Sequence, residues 1–308
     1  MRSVGRDAGL VIETRRLTKR YDNGITAVDA VNLHVRKGEV YGFLGPNGAG
    51  KTTTLRMLAG LTRPTSGTAV VTGQPLGSHR SLARVGCLIE SPAFYPYLSG
   101  RDNLRVVAEY AGVPSSRIDD ALDLVDLVPR AGHKFGTYSL GMKQRLGLAA
   151  ATLKDPEVLV LDEPTNGLDP QGMADMRTLV KEIAKGGRTV LVSSHLLSEV
   201  EQMCTQVGVI QRGRLIAEGP IEELRRDQDA LEVRAQPEAQ AAALLQQLAG
   251  AKAVQQVDGA IRVKIAPGRA AEINRTLVQA GISVSRLAQV TRSLEDVFLE
   301  LTGGEMGL

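Results

Sequence analysis

The chain has no tryptophan and only four phenylalanines and six tyrosines among its 308 residues. With a net charge of just +3, so few stacking rings argue against a nucleic-acid surface, which needs clustered cations interleaved with aromatic platforms. Two cysteines, Cys87 and Cys204, cannot build a disulfide framework or a thiolate metal site. A reducing setting and inert thiols are therefore expected. No apolar run approaches the roughly 18 residues that span a bilayer; the longest, such as Val158-Leu159-Val160-Leu161, suit a buried strand. The N-terminus carries no apolar segment of the secretory kind. These absences predict a soluble protein, long enough for one large domain plus a small satellite.

What is present is concentrated first in Gly45-Pro46-Asn47-Gly48-Ala49-Gly50-Lys51-Thr52-Thr53, a complete G-x-x-x-x-G-K-T loop behind the apolar run Val40–Leu44. Glycines let backbone N–H groups curl around phosphate oxygens. Lys51 offers a point charge to the β- and γ-phosphates, and the Thr52 hydroxyl can ligate Mg²⁺. A helix expected from about Lys51 aims its positive N-terminal dipole at the same anion. The loop predicts binding of ATP or GTP.

Residues 1–9 are polar and read as a flexible N-terminus. Strands are expected at Leu10–Thr14, Ala27–Val35, Val40–Leu44, Gly67–Thr72 and Val85–Ile89. Helical periodicity covers Asn103–Gly112, Ile118–Val128 and Met142–Leu153. Strands and helices then alternate: Val158–Leu161, Gln171–Lys185, Thr189–Ser193, Leu196–Met203 and Gln206–Gln211. That order predicts an α/β fold with a parallel sheet over residues 10–225 and a helical insertion over about 91–155. Polar Arg225–Asp229 reads as a linker. Residues 230–308 read strand, helix, strand, strand, helix, strand, with a short closing helix at Ser293–Leu301. This β-α-β-β-α-β order predicts a ferredoxin-like accessory domain.

Val158-Leu159-Val160-Leu161-Asp162-Glu163 is a buried-type strand ending in two acids. Asp162 there can hold Mg²⁺, and Glu163 can polarise the water that attacks the γ-phosphorus. Ser139 precedes a helix, where it would serve as an N-cap. The phosphate loop, Tyr138-Ser139-Leu140-Gly141-Met142-Lys143-Gln144-Arg145, Leu161-Asp162-Glu163-Pro164-Thr165, Gly167-Leu168-Asp169-Pro170 and Ser193-Ser194-His195 stand in fixed order. Together they resemble the ATP-binding cassettes of ABC transporters, over about residues 10–225.

The resemblance implies a P-loop NTPase cassette with a parallel-sheet core, an antiparallel β subdomain and the helical insertion. It implies ATP and Mg²⁺ as ligands and ATP hydrolysis as the activity. Tyr21 would stack on adenine. Ser139 and Gly141 would contact the γ-phosphate held by a second, head-to-tail ATPase subunit, expected to be an identical copy. Asp169 would couple the two sites, and His195 would sense the γ-phosphate. Thr52, Asp162 and Glu90 would share the metal. Glu90 stands where the family has glutamine, and Leu140 and Met142 replace signature glycine and glutamine; slower or more partner-dependent hydrolysis is expected from Glu90. The segment Leu88–Gly100 and the closing Ser293–Phe298 resemble the bacitracin and daunorubicin type of exporter. On that reading the chain sits peripherally at the cytoplasmic face of the plasma membrane, powering a separate ABC-2-type permease and binding no nucleic acid. Phe94, Tyr95 and Tyr97 would be exposed docking aromatics. The alternative is a soluble cassette ATPase acting on ribosomes or DNA.

Overall fold

The computed structural model describes residues 9–226, 230–250, 253–257, 259–264 and 268–290. In chain order it runs β1 (Leu10–Arg20), β2 (Thr26–Val31), β3 (His34–Arg36), β4 (Val40–Leu44), α1 (Lys51–Leu58), β5 (Ser66–Val71), β6 (Gln74–Pro75), α2 (His79–Ala83) and β7 (Val85–Leu88). A helical stretch follows: α3 (Gly100–Ala111), α4 (Ser116–Leu124) and α5 (Leu140–Thr152). The chain returns to the sheet with β8 (Val158–Asp162), α6 (Pro170–Lys185), β9 (Thr189–Ser194), α7 (Leu197–Met203), β10 (Gln206–Gln211) and β11 (Arg214–Pro220).

Two sheets share the work. β1 pairs antiparallel with β2, β3 and β5. The second sheet has the order β11-β10-β4-β9-β8-β7, and β10, β4, β9, β8 and β7 are all parallel. Every residue of β4, β8 and β9 is buried, as expected of strands covered on both faces, which read as apolar runs without alternation. One core lies between this sheet, α1 and the antiparallel strands, around Ile12, Phe43, Leu55 and Val160. The other packs α3 to α6 on the opposite face, around Leu104, Leu146, Leu159 and Val180.

Several expected boundaries shift for physical reasons. β1 continues through charged Arg15, Arg16, Lys19 and Arg20, where register shifts against β2 and β5 break any simple alternation. Ala27–Val35 divides into two strands: Ala30 takes a left-handed φ of 51°, and the buried Thr14 hydroxyl both donates to Val31 O and accepts from Leu33 N. The helix expected at Ile118–Val128 stops at Leu124. Phe94 is not an exposed docking residue. It packs edge-on against Phe135, centroids 5.2 Å apart, on the helical core, whereas Tyr95 and Tyr97 are exposed. Burial pushes both thiols up, with Lys154 opposing at Cys87 and Lys181 at Cys204, so neither is a ready nucleophile.

A second compact unit begins at Pro220. It contains α8 (Ile221–Arg226), β12 (Ala230–Gln236), α9 (Glu238–Ala249), β13 (Val254–Val257), β14 (Ala260–Lys264), α10 (Ala270–Gln279) and β15 (Ser283–Val290). Arg225 and Arg226, expected in a linker, close α8 instead. The sheet is antiparallel in the order β13-β14-β12-β15, the ferredoxin-like arrangement for a β-α-β-β-α-β chain. Leu231, Val233, Leu245, Ile261 and Ile273 form its own core. Residues 1–8, linker residues 227–229 and the expected helix at Ser293–Leu301 lie outside the described residues.

At Gly86 of β7 the sheet leaves no room for a side chain under α5. A Cβ built on Gly86 would stand 2.0 Å from the Ala151 carbonyl oxygen, a backbone atom that no rotamer change can move aside. Gly86→Ala is expected to push α5 off the sheet and lower stability by about 1–3 kcal/mol, the usual cost of overpacking. Urea denaturation of the two proteins checks it; an unchanged midpoint would show that α5 is free to shift.

Candidate active site

Parallel strands end at one edge, so residues following β4, β8, β9 and β7 meet there. Leu44 is aligned with Ser194, Asp162 with Ser193, and Leu88 with Leu161. The Gly45–Thr53 loop therefore lies beside Asp162-Glu163 and Ser193-Ser194-His195, although about a hundred residues separate them in sequence.

The loop is built to bring backbone close to an anion. Gly50 precedes α1 with φ 107°, and a Cβ there would stand 2.3 Å from Ala27 O. A Cβ on Gly45 would meet Ile210 O at 2.3 Å. Only glycine fits either position. Lys51, 4% exposed, donates through Nζ to Gly45 O at 2.7 Å and Pro46 O at 3.2 Å. Its ammonium also lies 3.1 Å from Glu163 Oε1. Asn47 and Gly48 are exposed at the loop's tip, and Ala49 is buried beneath it.

Glu163 is held on three sides. Its φ of 45° places a non-glycine residue in the left-handed region, which costs on the order of 1–3 kcal/mol and persists only where neighbours enforce it. Its backbone N–H donates to Ser193 Oγ at 2.9 Å, and that hydroxyl donates to Asp162 Oδ1 at 2.6 Å. Its other carboxylate oxygen lies 2.9 Å from His195 Nδ1. Ser193 thus fixes both acids at once. Sequence reasoning gave it no role, although it stands in the same short motif as His195.

Thr52, Glu90, Asp162 and Glu163 line one cavity of about 430 Å³ with Gln144, Asn166 and Gly167. The donor set is all oxygen, which suits Mg²⁺. Among the described residues no group of three His, Cys, Asp or Glu is placed to hold a metal ion alone. Thr52, Asp162 and Glu90, the residues expected to hold Mg²⁺, all line this cavity, and the Glu90 carboxylate is engaged by Arg56 at 2.5 Å. Gln144 is buried, and its Oε1 has no partner; sequence reasoning missed it.

Ser139 and Gly141 are placed elsewhere, in a second cavity of about 440 Å³ shared with Asp169 and Arg145. Ser139 caps α5, accepting from Met142 N at 3.3 Å. Asp169 caps α6, accepting from Gly172 N at 2.9 Å. Arg145 ties the two helices, pairing with Asp175 at 2.8 Å. Tyr21 is exposed at the β1–β2 turn with Lys19 Nζ 5.2 Å from its ring centroid, and lines neither cavity.

Comparison with known proteins gives consistent matches. The family described as ABC transporter matches residues 28–166. The family described as the C-terminal domain of ATP-binding protein DrrA1-3-like matches residues 219–302. The chain is 42% identical over 300 residues to a bacitracin transport ATP-binding protein, BcrA, of Bacillus licheniformis, covering 96% of this chain and 98% of that one. It is 41% identical over 208 residues to a lantibiotic transport ATP-binding protein, SrtF, of Streptococcus pyogenes, covering 68% and 90%. Among solved structures, cbiO1 from Clostridium perfringens, part of the cbiONQ ABC transporter complex, aligns with a TM-score of 0.64 and 28% identity, covering 70% of this chain and 90% of that chain.

Separable roles are expected for Lys51 and Glu163. Lys51→Ala is expected to abolish nucleotide binding, read by equilibrium binding of a fluorescent ATP analogue. Glu163→Gln is expected to retain binding and lose roughly 10²–10⁴ in hydrolysis rate, the usual worth of a positioned base. Wild-type turnover by the Gln variant would remove Glu163 from that role.

Proposed function

The chain belongs to the ATP-binding proteins of ABC transporters, and from that premise we propose that it powers export of a peptide antibiotic or drug through a separate, ABC-2-type membrane permease. Family membership makes it an ATP-binding ATPase subunit. The observation that carries the finer reading is the 42% identity to a bacitracin transport ATP-binding protein along nearly the whole of both chains. The lantibiotic relative points to the same class of cargo.

On this reading ATP lies with its phosphates in the Gly45–Thr53 loop and its adenine toward Tyr21. Lys51, now shared between loop carbonyls and Glu163, turns to the phosphates, and Glu163 is released to orient water. His195 keeps contact with Glu163 through Nδ1. Mg²⁺, when bound, would neutralise phosphate charge beside Thr52 and Asp162. Ser139 and Gly141 line a cavity that adjoins the one holding Glu163; on the family pattern those two residues serve the nucleotide of a second copy, with Asp169 at the junction. Binding closes the dimer and hydrolysis opens it.

No described helix is long and apolar enough to cross a membrane. We assign the span to the permease and this chain to the cytoplasmic face, with residues 10–225 as the motor and 230–308 as an accessory, regulatory domain. Exposed Tyr95 and Tyr97 lie in the segment between β7 and α3, and support docking near the loop that carries Glu90.

The test is affinity purification of the full chain carrying Glu163→Gln from detergent-solubilised membranes with ATP present. A multi-span protein in stoichiometric amount is the expected companion. Ribosomal material or DNA without a membrane protein would overturn the proposal in favour of a soluble ATPase.

A further inference from the structure

The cavity that Thr52 lines at the end of the Gly45–Thr53 loop is rich in negative charge of its own. Glu90, Asp162 and Glu163 all line it. Two of these carboxylates are contained: Asp162 accepts from Ser193 Oγ, and Glu163 lies between Lys51 and His195. The third, Glu90, has a side chain 60% exposed and no such cage. Among the described residues a single polar contact restrains it, the guanidinium of Arg56 donating from Nη2 to Oε1 at 2.5 Å. Arg56 belongs to α1, the helix that begins with Lys51 and Thr52. Glu90 follows β7 with φ 62°, a left-handed conformation that a non-glycine residue adopts at a cost of about 1–3 kcal/mol.

We propose that Arg56 is a positioning residue for nucleotide binding: it fixes and neutralises Glu90, an exposed carboxylate of the cavity that Thr52 also lines. The inference rests on reading Gly45–Thr53 as the phosphate cradle. Exposed ion pairs contribute roughly 0–1 kcal/mol to folding, so stability is a poor reason for the pairing. Its consequence is electrostatic. A carboxylate freed beside a polyanion raises the energy of the bound nucleotide by an amount that falls with distance and effective dielectric. The pair also joins α1 to the chain segment entering the helical insertion, so the charge on Glu90 is controlled by the helix that touches the phosphates.

The claim separates from a direct role for Arg56 through its dependence on Glu90. The full chain and the variants Arg56→Ala, Arg56→Lys, Glu90→Gln and the double variant Arg56→Ala/Glu90→Gln are titrated with MANT-ATP, following fluorescence rather than turnover. Arg56→Ala is expected to weaken binding about 5- to 20-fold at low salt, the order Coulomb's law gives for one partly screened charge. In the Glu90→Gln background the same substitution is expected to cost less than about 2-fold, because no charge is released. Arg56→Lys keeps the cation and should stay within about 3-fold of the wild type. At 1 M salt, where the screening length is about 3 Å, the Arg56→Ala effect should largely disappear. A penalty of equal size with and without Glu90, or one indifferent to salt, would overturn the proposal. So would unaltered binding by Arg56→Ala. Failure of the wild type itself to bind MANT-ATP is a different result, and would remove the cradle reading on which the inference stands. Thermal melting of every variant guards against misfolding; if Arg56→Ala is unfolded, Arg56→Gln replaces it in the same cycle.

Discussion

Four parallel strands ending at one edge of the sheet are the constraint from which everything else in the first unit follows. β4, β9, β8 and β7 are neighbours, and each hands the chain to a functional segment as it leaves the sheet. The phosphate loop, the Ser193–His195 motif, the paired acids and the Glu90 turn meet because of strand order alone. Parallel strands also impose burial on both faces, which is why their sequences are continuous apolar runs and why polar groups collect at their ends. Glycine at 86 lets α5 lie close on this sheet, bringing the helix that begins beside Ser139 to the same layer.

At that edge the chain is under local tension. Glu163 and Glu90 both take positive φ, and Asp162 is buried with Ser193 as its donor. Strain and buried charge persist only where neighbours enforce them. Here the enforcing groups are few and specific: one hydroxyl, one ammonium, one imidazole and one guanidinium. Each carboxylate has its own keeper, so none is left to repel an incoming polyanion unopposed.

Sequence made the glycine loop, the strand-end acids and the Ser139 cap readable because each is a local pattern with a local cause. Ser139 caps its helix as expected; Asp169, expected only to couple two sites, caps α6 and lines the same cavity. The satellite's alternation was equally readable, since each element carries its own apolar stripe. Pairings across the chain were not. Arg56 with Glu90, Ser193 with Asp162, and Gln144 at the catalytic cavity depend on tertiary placement, and nothing in the residues beside them announces it. Phe94 was misread for a related reason: an aromatic in a Pro-rich turn looks exposed until Phe135, far along the chain, covers it. β1 was read too short because its charged half pairs through bulges, where alternation fails.

The two cavities are not independent, although the residues that define them serve different nucleotides on the proposed mechanism. Leu140 and Gly167 line both. Gly167 has φ 75°, and a Cβ built there would come within 3.0 Å of Leu140 Cδ2, so the wall between them is one leucine lying on one bare stretch of backbone. The loop that contains Gly167 starts at Glu163 and ends at Asp169, where α6 begins. The loop thus joins Glu163 to the Asp169 cap over six residues, and Leu140 joins it to the start of α5. Arg145, paired with Asp126 and Asp175, ties α5 to α6 beside this contact. A leucine where the family has glycine strengthens this contact, because glycine would leave the same backbone untouched. The departure from the family's pattern thus falls where the chain connects its own hydrolysis site to the face it would present to a second copy.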